Sequence, residues 1–581
     1  MRTALIALSL IAPAAAAQTT LPLSVAPGGA MGDGGSSNVR GSPDLRWVAW
    51  HTTASNLVAG DSNGHQDVYL RDTWTAQTTR VSLAASGAEG DGHCRWPTVS
   101  ADGGRVAFQS FATNLVPGDA NGQPDIYVRD LASGELIRAT VGLGGAEPDG
   151  PSRYPMVSRD GEQVVFESHA TNLVPGDTNG VKDVFLCELA TGAITRLSRG
   201  PGGVGGDGDS GAPTFSPDQS KVTFVSLASN LAAGDANGAQ DVFVRDLATG
   251  AVACASTDSG GAFGDASSHD PYLSGDGRWV SFRSEASNLV PGDTNGVGDV
   301  FVKDLQLGTI LRASVGVTGG QASTPSYAPW VTPEGRYVLF TCDDPTLVAG
   351  DTNDAADVFL RDLVAGTLER VNLGWGGQQA DGGASYPVPS DDARLFVFDS
   401  VATNLVAGDA NGLRDAFLRD HRSSFQPFCG GEASLAVPCP CGNAGAAGHG
   451  CASSGGAAGA LLAAGGTTAP DTVVLTASGE PASALTIFLQ GDAASAAGLP
   501  FGDGVRCVAG TLLRLYVAGA SDGAVSVPPP GGPSVTQAAA GLGAPIAPGA
   551  LRWYQAYYRD PDPGFCSPAT FNATNAVRIA W

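Results

Sequence analysis

Hard oxygen ligands recur at one spacing along this chain. An aspartate, an asparagine two residues on and a second aspartate six residues on stand at Asp61, Asn63 and Asp67. The trio returns at Asp119, Asn121, Asp125; Asp177, Asn179, Asp183; Asp235, Asn237, Asp241; Asp293, Asn295, Asp299; Asp351, Asn353, Asp357; and Asp409, Asn411, Asp415. Ligands at positions 1, 3 and 7 of a turn, with a backbone carbonyl at 5, make part of a calcium loop. A shell of about 6–8 oxygens would still need the bidentate glutamate that the pattern lacks. A third aspartate (Asp33, Asp91, Asp149, Asp207, Asp265 and Asp381, with Ser323 in the remaining copy) is placed to help. The same residues suit a metal-free role, because Asn-Gly makes a tight turn and flanking aspartates bond turn amides. Calcium is the one cofactor the pattern suggests, and nothing in it requires a cofactor.

A second set of candidates varies from copy to copy. His93, Arg95 and Trp96; Arg153 and Tyr154; Asp209; His269 and Asp270; Tyr327; and Tyr386 stand just before or close to a recurring proline (Pro97, Pro155, Pro213, Pro271, Pro329, Pro387). Aromatic and arginine side chains are strong binding anchors, and they equally serve as packing at a rim. No nucleophile elbow, HExxH, phosphate-binding GxxxxGK[ST] or Ser-His-Asp spacing occurs.

These residues are carried on a strict repeat. The GD-x-N motif recurs every 58 residues in seven copies, and Phe108, Phe166, Phe224, Phe282, Phe340 and Phe398 keep the same step, with Trp50 in the first copy. Each copy reads as four short strands; in the second they fall at 97–100, 105–110, 125–131 and 135–141. Turn residues separate them, and the middle two are apolar at nearly every position, as in strands covered on both faces. Four antiparallel strands repeated seven times predict an all-β fold, a seven-bladed β-propeller. The last copy lacks its fourth strand, and 21–25 aligns with 79–83 one repeat later, so the N-terminal strand is expected to close the ring and remove exposed sheet edges. In this meander the two long loops of each copy share one face of the disc, where function concentrates.

The stretches SPDQSKVTF (216–224), SGDGRWVSF (274–282) and TPEGRYVLF (332–340) resemble the S-P-D-G-x-x-[apolar]-x-[aromatic] turn of TolB-like, WD-like bacterial propeller repeats. The resemblance covers the propeller only and implies a periplasmic or secreted protein. The blades here are longer, TolB's N-terminal α/β domain is absent, and a Cys-rich module follows, so a TolB role is not implied.

The domain reading is a signal peptide at 1–17, a propeller at 18–424 and a Cys-rich β module at 425–581. Met1 and Arg2 precede an almost wholly apolar run that ends in Ala15, Ala16 and Ala17, the pattern of a secretory leader. Export to the periplasm or the outside follows, where disulfides persist. Six of the ten cysteines (Cys429, Cys439, Cys441, Cys451, Cys507, Cys566) lie in the tail and predict a disulfide framework, with zinc on Cys439, Cys441, Cys451 and His449 as the sharper alternative. Strands at 472–477, 485–490, 512–517, 552–558 and 577–581 predict a small disulfide-rich, β-sandwich-like domain.

A net charge of −25 argues against nucleic acid as partner, and no later run is long and apolar enough to span a membrane. The expected protein is an exported, monomeric, non-enzymatic binding or scaffold protein that presents its acidic long-loop face to a protein or glycan partner. The alternative is a lyase or glycan hydrolase with His93, Arg95, His269 and Asp270 at the channel mouth.

Overall fold

A computed structural model describes residues 19–374, 378–406, 408–421, 425–428, 439, 450–454, 459–465, 471–546, 550–560 and 571–580. The expected leader lies outside them. The chain divides into two compact units, Gln18–His421 and a second that holds Arg422–Trp581.

In the first unit the described strands form seven four-stranded antiparallel sheets in chain order. Blade one consists of Ser36–Gly41, Trp47–Thr52, Asp67–Asp72 and Gln77–Arg80, and blade two of Cys94–Val99, Arg105–Ser110, Asp125–Asp130 and Leu136–Arg138. The pattern continues to blade seven, where Thr19–Pro22 is the outer strand of Ala384–Pro389, Leu395–Ser400 and Asp415–Asp420. Its register runs from Thr19 opposite Asp420 to Pro22 opposite Phe417. Each innermost strand packs on the next, and Ala384–Pro389 packs on Ser36–Gly41, so the ring closes. This is a β-propeller.

The repeated aromatics hold each blade together. In blade two Phe108 faces Tyr127 across the strand pair, with ring centroids 6.0 Å apart. Trp50–Tyr69, Phe166–Phe185 and Phe224–Phe243 repeat the pairing, and all of these side chains are fully buried. Such a pair contributes roughly 0.5–1.5 kcal/mol beyond its burial. In five blades a cation on the third strand bonds carbonyls of the blade before it. Arg245 donates to the carbonyls of Leu197 (3.0 Å) and Arg199 (2.9 Å), and Lys303 to those of Thr257 (2.8 Å) and Asp258 (2.7 Å). Cys187 takes this position in blade three.

The second unit carries a five-stranded sheet in the order Phe425–Phe428, Phe571–Ala580, Leu551–Arg559, Leu485–Gly491, Leu513–Gly519. A three-stranded sheet (Leu461–Gly465, Val474–Ser478, Ala524–Val527), a hairpin (Ala493–Phe501, Gly504–Ala509) and a short helix, Val535–Gly541, complete it. Leu475, Phe488, Val527, Val535 and Tyr554 meet in one core between the two sheets and the helix. Leu461–Gly465 lies in a Gly/Ala/Ser-rich stretch whose composition hides its strand. Cys439 and Cys451 form a disulfide, so they are not zinc ligands; Cys507 is also disulfide-bonded. Cys441 and His449 lie outside the described residues, as do Cys429 and Cys566.

Candidate functional site at the mouth of the propeller channel

The innermost strand of every blade is bulged at one repeat position. In blade two the register shifts between Arg95 and Thr98, and the same break occurs in the other blades. The residue at the bulge has a left-handed backbone in all seven: Asn38, Trp96, Tyr154, Ala212, Asp270, Ala328 and Tyr386, with φ between 48° and 56°. Only glycine adopts this region freely, so each non-glycine there costs about 1 kcal/mol or more. In six blades a proline follows, at 97, 155, 213, 271, 329 and 387. Proline has no N–H to donate, so the bulge, where the ladder is interrupted anyway, tolerates it. The first strand therefore begins before the proline, at Cys94 in blade two rather than at 97, and carries Arg95 and Trp96 within it.

The seven bulge residues all line one cavity of 620 Å³, to which residues from every blade contribute. Of the sequence candidates, Trp96, Tyr154, Asp270, Tyr327 and Tyr386 line it, and Tyr154, Tyr327 and Tyr386 are 40%, 41% and 38% exposed. Trp96 meets Tyr154 at 4.7 Å between ring centroids and Tyr386 at 6.4 Å, nearly edge-on in both cases. Arg283 lies 4.8 Å over the Tyr327 ring.

His93, Arg95, Arg153 and His269 are not among the lining residues. His93 accepts the Gln66 amide through Nδ1 (2.9 Å) and packs on His65, Arg95 lies over Phe111, and His269 bonds Gln240 (2.8 Å). Arg153 is exposed. The acid–base group expected around His93, Arg95, His269 and Asp270 is thus represented in the cavity by Asp270 alone.

Residue type and proximity to proline do not single out several further lining groups. Arg40 donates to the Val39 carbonyl (3.1 Å) and the Tyr272 hydroxyl (3.3 Å), and Tyr272 stacks on Trp330 at 4.1 Å. Glu167 pairs with Lys182 (3.1 Å) and accepts the Ala212 amide (3.0 Å). Counting in steps of 58 from Trp96 and from the strand residue two beyond it would have found Asn38, Ala212, Ala328, Arg40, Tyr272 and Trp330. Beside this channel, His51 is held neutral: burial, then Arg95 and Arg40, push its pKa down to about 4. Asp399 is raised to about 6 by burial, although Arg414 pairs with it at 2.5 Å.

The aspartate loops are built as turns and clasps. Asn63 turns its oxygen to the His65 amide (2.9 Å) and its NH₂ to Asp67 (2.9 Å). The equivalent oxygens of Asn121, Asn179, Asn237, Asn295, Asn353 and Asn411 all accept the amide two residues on. In five blades an arginine bonds both aspartates: Arg80 with Asp61 and Asp67, Arg138 with Asp119 and Asp125, Arg196 with Asp177 and Asp183, Arg312 with Asp293 and Asp299, and Arg370 with Asp351 and Asp357. A metal there would meet a guanidinium, so these five loops do not fit calcium. Cys254 and Pro22 stand at the arginine position of blades four and seven. Burial pushes Asp241 and Asp409 there up to about 6. The third aspartates clasp loops: Asp91 accepts the Thr113 amide (2.7 Å) and hydroxyl (2.8 Å), and Asp33, Asp149, Asp207, Asp265 and Asp381 do likewise. In blade six the roles are exchanged, with Asp344 accepting the Ser323 amide. No group of three or more His, Cys, Asp or Glu side chains among the described residues is placed to share a metal ion.

Several solved structures are similar to this chain. An oligogalacturonate lyase in complex with manganese matches 71% of this chain and 96% of its own at 13% identity, with a TM-score of 0.45. TolB from Acinetobacter baumannii matches 57% of this chain and 61% of its own at 18% identity and a TM-score of 0.32. The β-propeller domain of the trilobed protease from Pyrococcus furiosus matches 66% and 95%, at 10% identity and a TM-score of 0.40. The β-propeller fold itself rests on the seven described sheets and their closed ring. No family model matches the chain, and no curated protein matches it.

Proposed function

We propose that this is an exported, non-enzymatic binding protein whose propeller takes a protein or glycan partner at the channel mouth. One observation carries the reading. The bulge position is strained in all seven blades and lines one cavity, yet its residue changes from blade to blade (Asn, Trp, Tyr, Ala, Asp, Ala, Tyr), whereas the core aromatics and loop aspartates repeat. The fold's own requirements would repeat with the blades, so the variation answers to something else. Export is supported by the apolar leader and by the disulfides of the second unit. No described helix is long and apolar enough to cross a membrane.

The test is capture of envelope proteins and of arrayed glycans by the mature protein and by a Trp96→Ala, Tyr154→Ala, Tyr386→Ala variant. Capture lost in the variant supports the reading, and capture retained moves the site elsewhere. Turnover of any polysaccharide by the purified protein would replace it with the lyase or hydrolase alternative.

Calcium enters only at blades four and seven, whose aspartates lack the arginine, and in blade seven the buried Asp409 Oδ1 has no hydrogen-bond partner. Excess Ca²⁺ should raise the melting temperature, and Asp235→Asn with Asp409→Asn should remove that rise. An unchanged melt removes calcium from the protein.

A further inference from the structure

Asp270 is the one acid among the seven bulge residues. The bulge residues on either side of it around the ring are Ala212 and Ala328, whose methyl groups leave open space beside the carboxylate. It faces the cavity and accepts no hydrogen bond from the protein; enclosure by the channel raises its pKa, opposed from a distance by His269, Arg283 and Arg40. Those three are engaged elsewhere: His269 with Gln240, Arg283 with Glu285 (2.7 Å) and the Tyr327 ring, and Arg40 with the Val39 carbonyl and the Tyr272 hydroxyl. A solvent-accessible carboxylate that accepts no bond from the protein is free to pair with a ligand that brings both a donor and a positive charge.

Blades two, three and seven supply the aromatic wall. The Trp96 and Tyr154 rings meet at 67° and those of Trp96 and Tyr386 at 87°, so they form corners. Angled ring faces suit a cation, whereas a sugar stacks on one flat open face. The guanidinium of Arg40, 6.0 Å from the Tyr386 ring, already uses such a face.

We propose that the channel mouth binds an organic ammonium group, with Asp270 as its counter-ion and Trp96, Tyr154 and Tyr386 as its wall. This rests on the channel being the binding site and narrows what it takes. The ammonium is either that of a lysine side chain on a protein partner or that of a free small amine.

The experiment is calorimetric titration of the mature protein with n-butylamine, which stands in for a lysine side chain, with choline, and with 3,3-dimethyl-1-butanol, choline's neutral isostere. At least one ammonium probe should bind about tenfold or more tighter than the neutral alcohol. The isosteric Asp270→Asn variant should erase that preference while melting as the parent does. Preference for butylamine indicates the lysine source and preference for choline the free amine. Affinity of both ammonium probes no greater than that of the neutral alcohol, no binding of either ammonium, or unchanged ammonium affinity in Asp270→Asn overturns the proposal. The aromatic triple variant separates the two failures: if it still loses partner capture, the channel reading stands and only the ammonium falls.

Discussion

At the scale of single residues, the left-handed bulge is the most informative feature. Trp96, Tyr154 and Tyr386 hold a conformation that bulky side chains avoid, and their surroundings enforce it in every blade. Where the side chain is small, the strain can be removed. Ala328→Gly keeps φ at 48° without a Cβ penalty and should raise unfolding free energy by about 0.5–1 kcal/mol, read by urea denaturation. A loss of stability would mean that the Ala328 methyl packs better than its position on the cavity wall suggests. Core residues behave oppositely. Phe224→Ala, at a fully buried position paired with Phe243, should cost roughly 3–5 kcal/mol in the same assay.

At the scale of elements, charges join strands and blades. Arg245 satisfies carbonyls of the preceding blade, and Arg245→Ala leaves them unpaired, which should cost about 1–3 kcal/mol and appear as faster amide exchange near Leu197 and Arg199. Blade four offers the converse experiment. Its aspartate pair lacks the arginine present in five other blades, and burial holds Asp241 at about 6. Cys254→Arg should restore the bridge, lower the Asp241 pKa and raise the melting temperature at pH 8. An NMR titration of the Asp241 carboxyl checks the first effect directly.

At the scale of the molecule, closure and pH dependence can be predicted together. Residues 19–25 complete blade seven, with Leu23 buried and the Ser24 hydroxyl donating to Asp415 (2.6 Å). Removing them exposes the edge of Asp415–Asp420, so the truncated propeller should melt several degrees lower and aggregate sooner in light scattering. Burial raises Asp241, Asp357, Asp399 and Asp409 to about 6. A raised carboxyl is protonated more readily in the folded state. Its unfavourable contribution is complete above about pH 6 and is relieved as pH falls toward the unfolded value of about 4. Glu89, lowered to about 2 by Ser62 and then Arg80, and Asp362, lowered to about 2 chiefly by Arg336, act in the opposite sense: their stabilisation is present above about pH 4 and is lost as pH falls through 2. The propeller should therefore melt highest near pH 5, with lower values at pH 8 and below pH 4. A melting temperature that rises steadily from pH 5 to pH 8 contradicts this account.

The repeat made the blade legible. A strict step of 58, apolar middle strands and turn residues are local properties, and each dictates its own strand pairing without reference to distant chain. The candidate site was half legible. Aromatics near the proline series pointed to the channel, but the bulge that turns Trp96, Tyr154, Asp270 and Tyr386 into one cavity, and leaves His93, Arg95, Arg153 and His269 outside its lining, is a backbone conformation with no residue signature, since six of its seven occupants are neither glycine nor asparagine. The aspartate loops show the same division. Spacing alone allows calcium or a turn; which of the two fits depends on whether an arginine some 19 residues downstream, as Arg80 is from Asp61, reaches both carboxylates. Sequence determined the strands and their repetition because these arise from neighbours in the chain. Tertiary structure decided the cavity and the pairing of its charges because seven blades must close before residues hundreds of positions apart can meet.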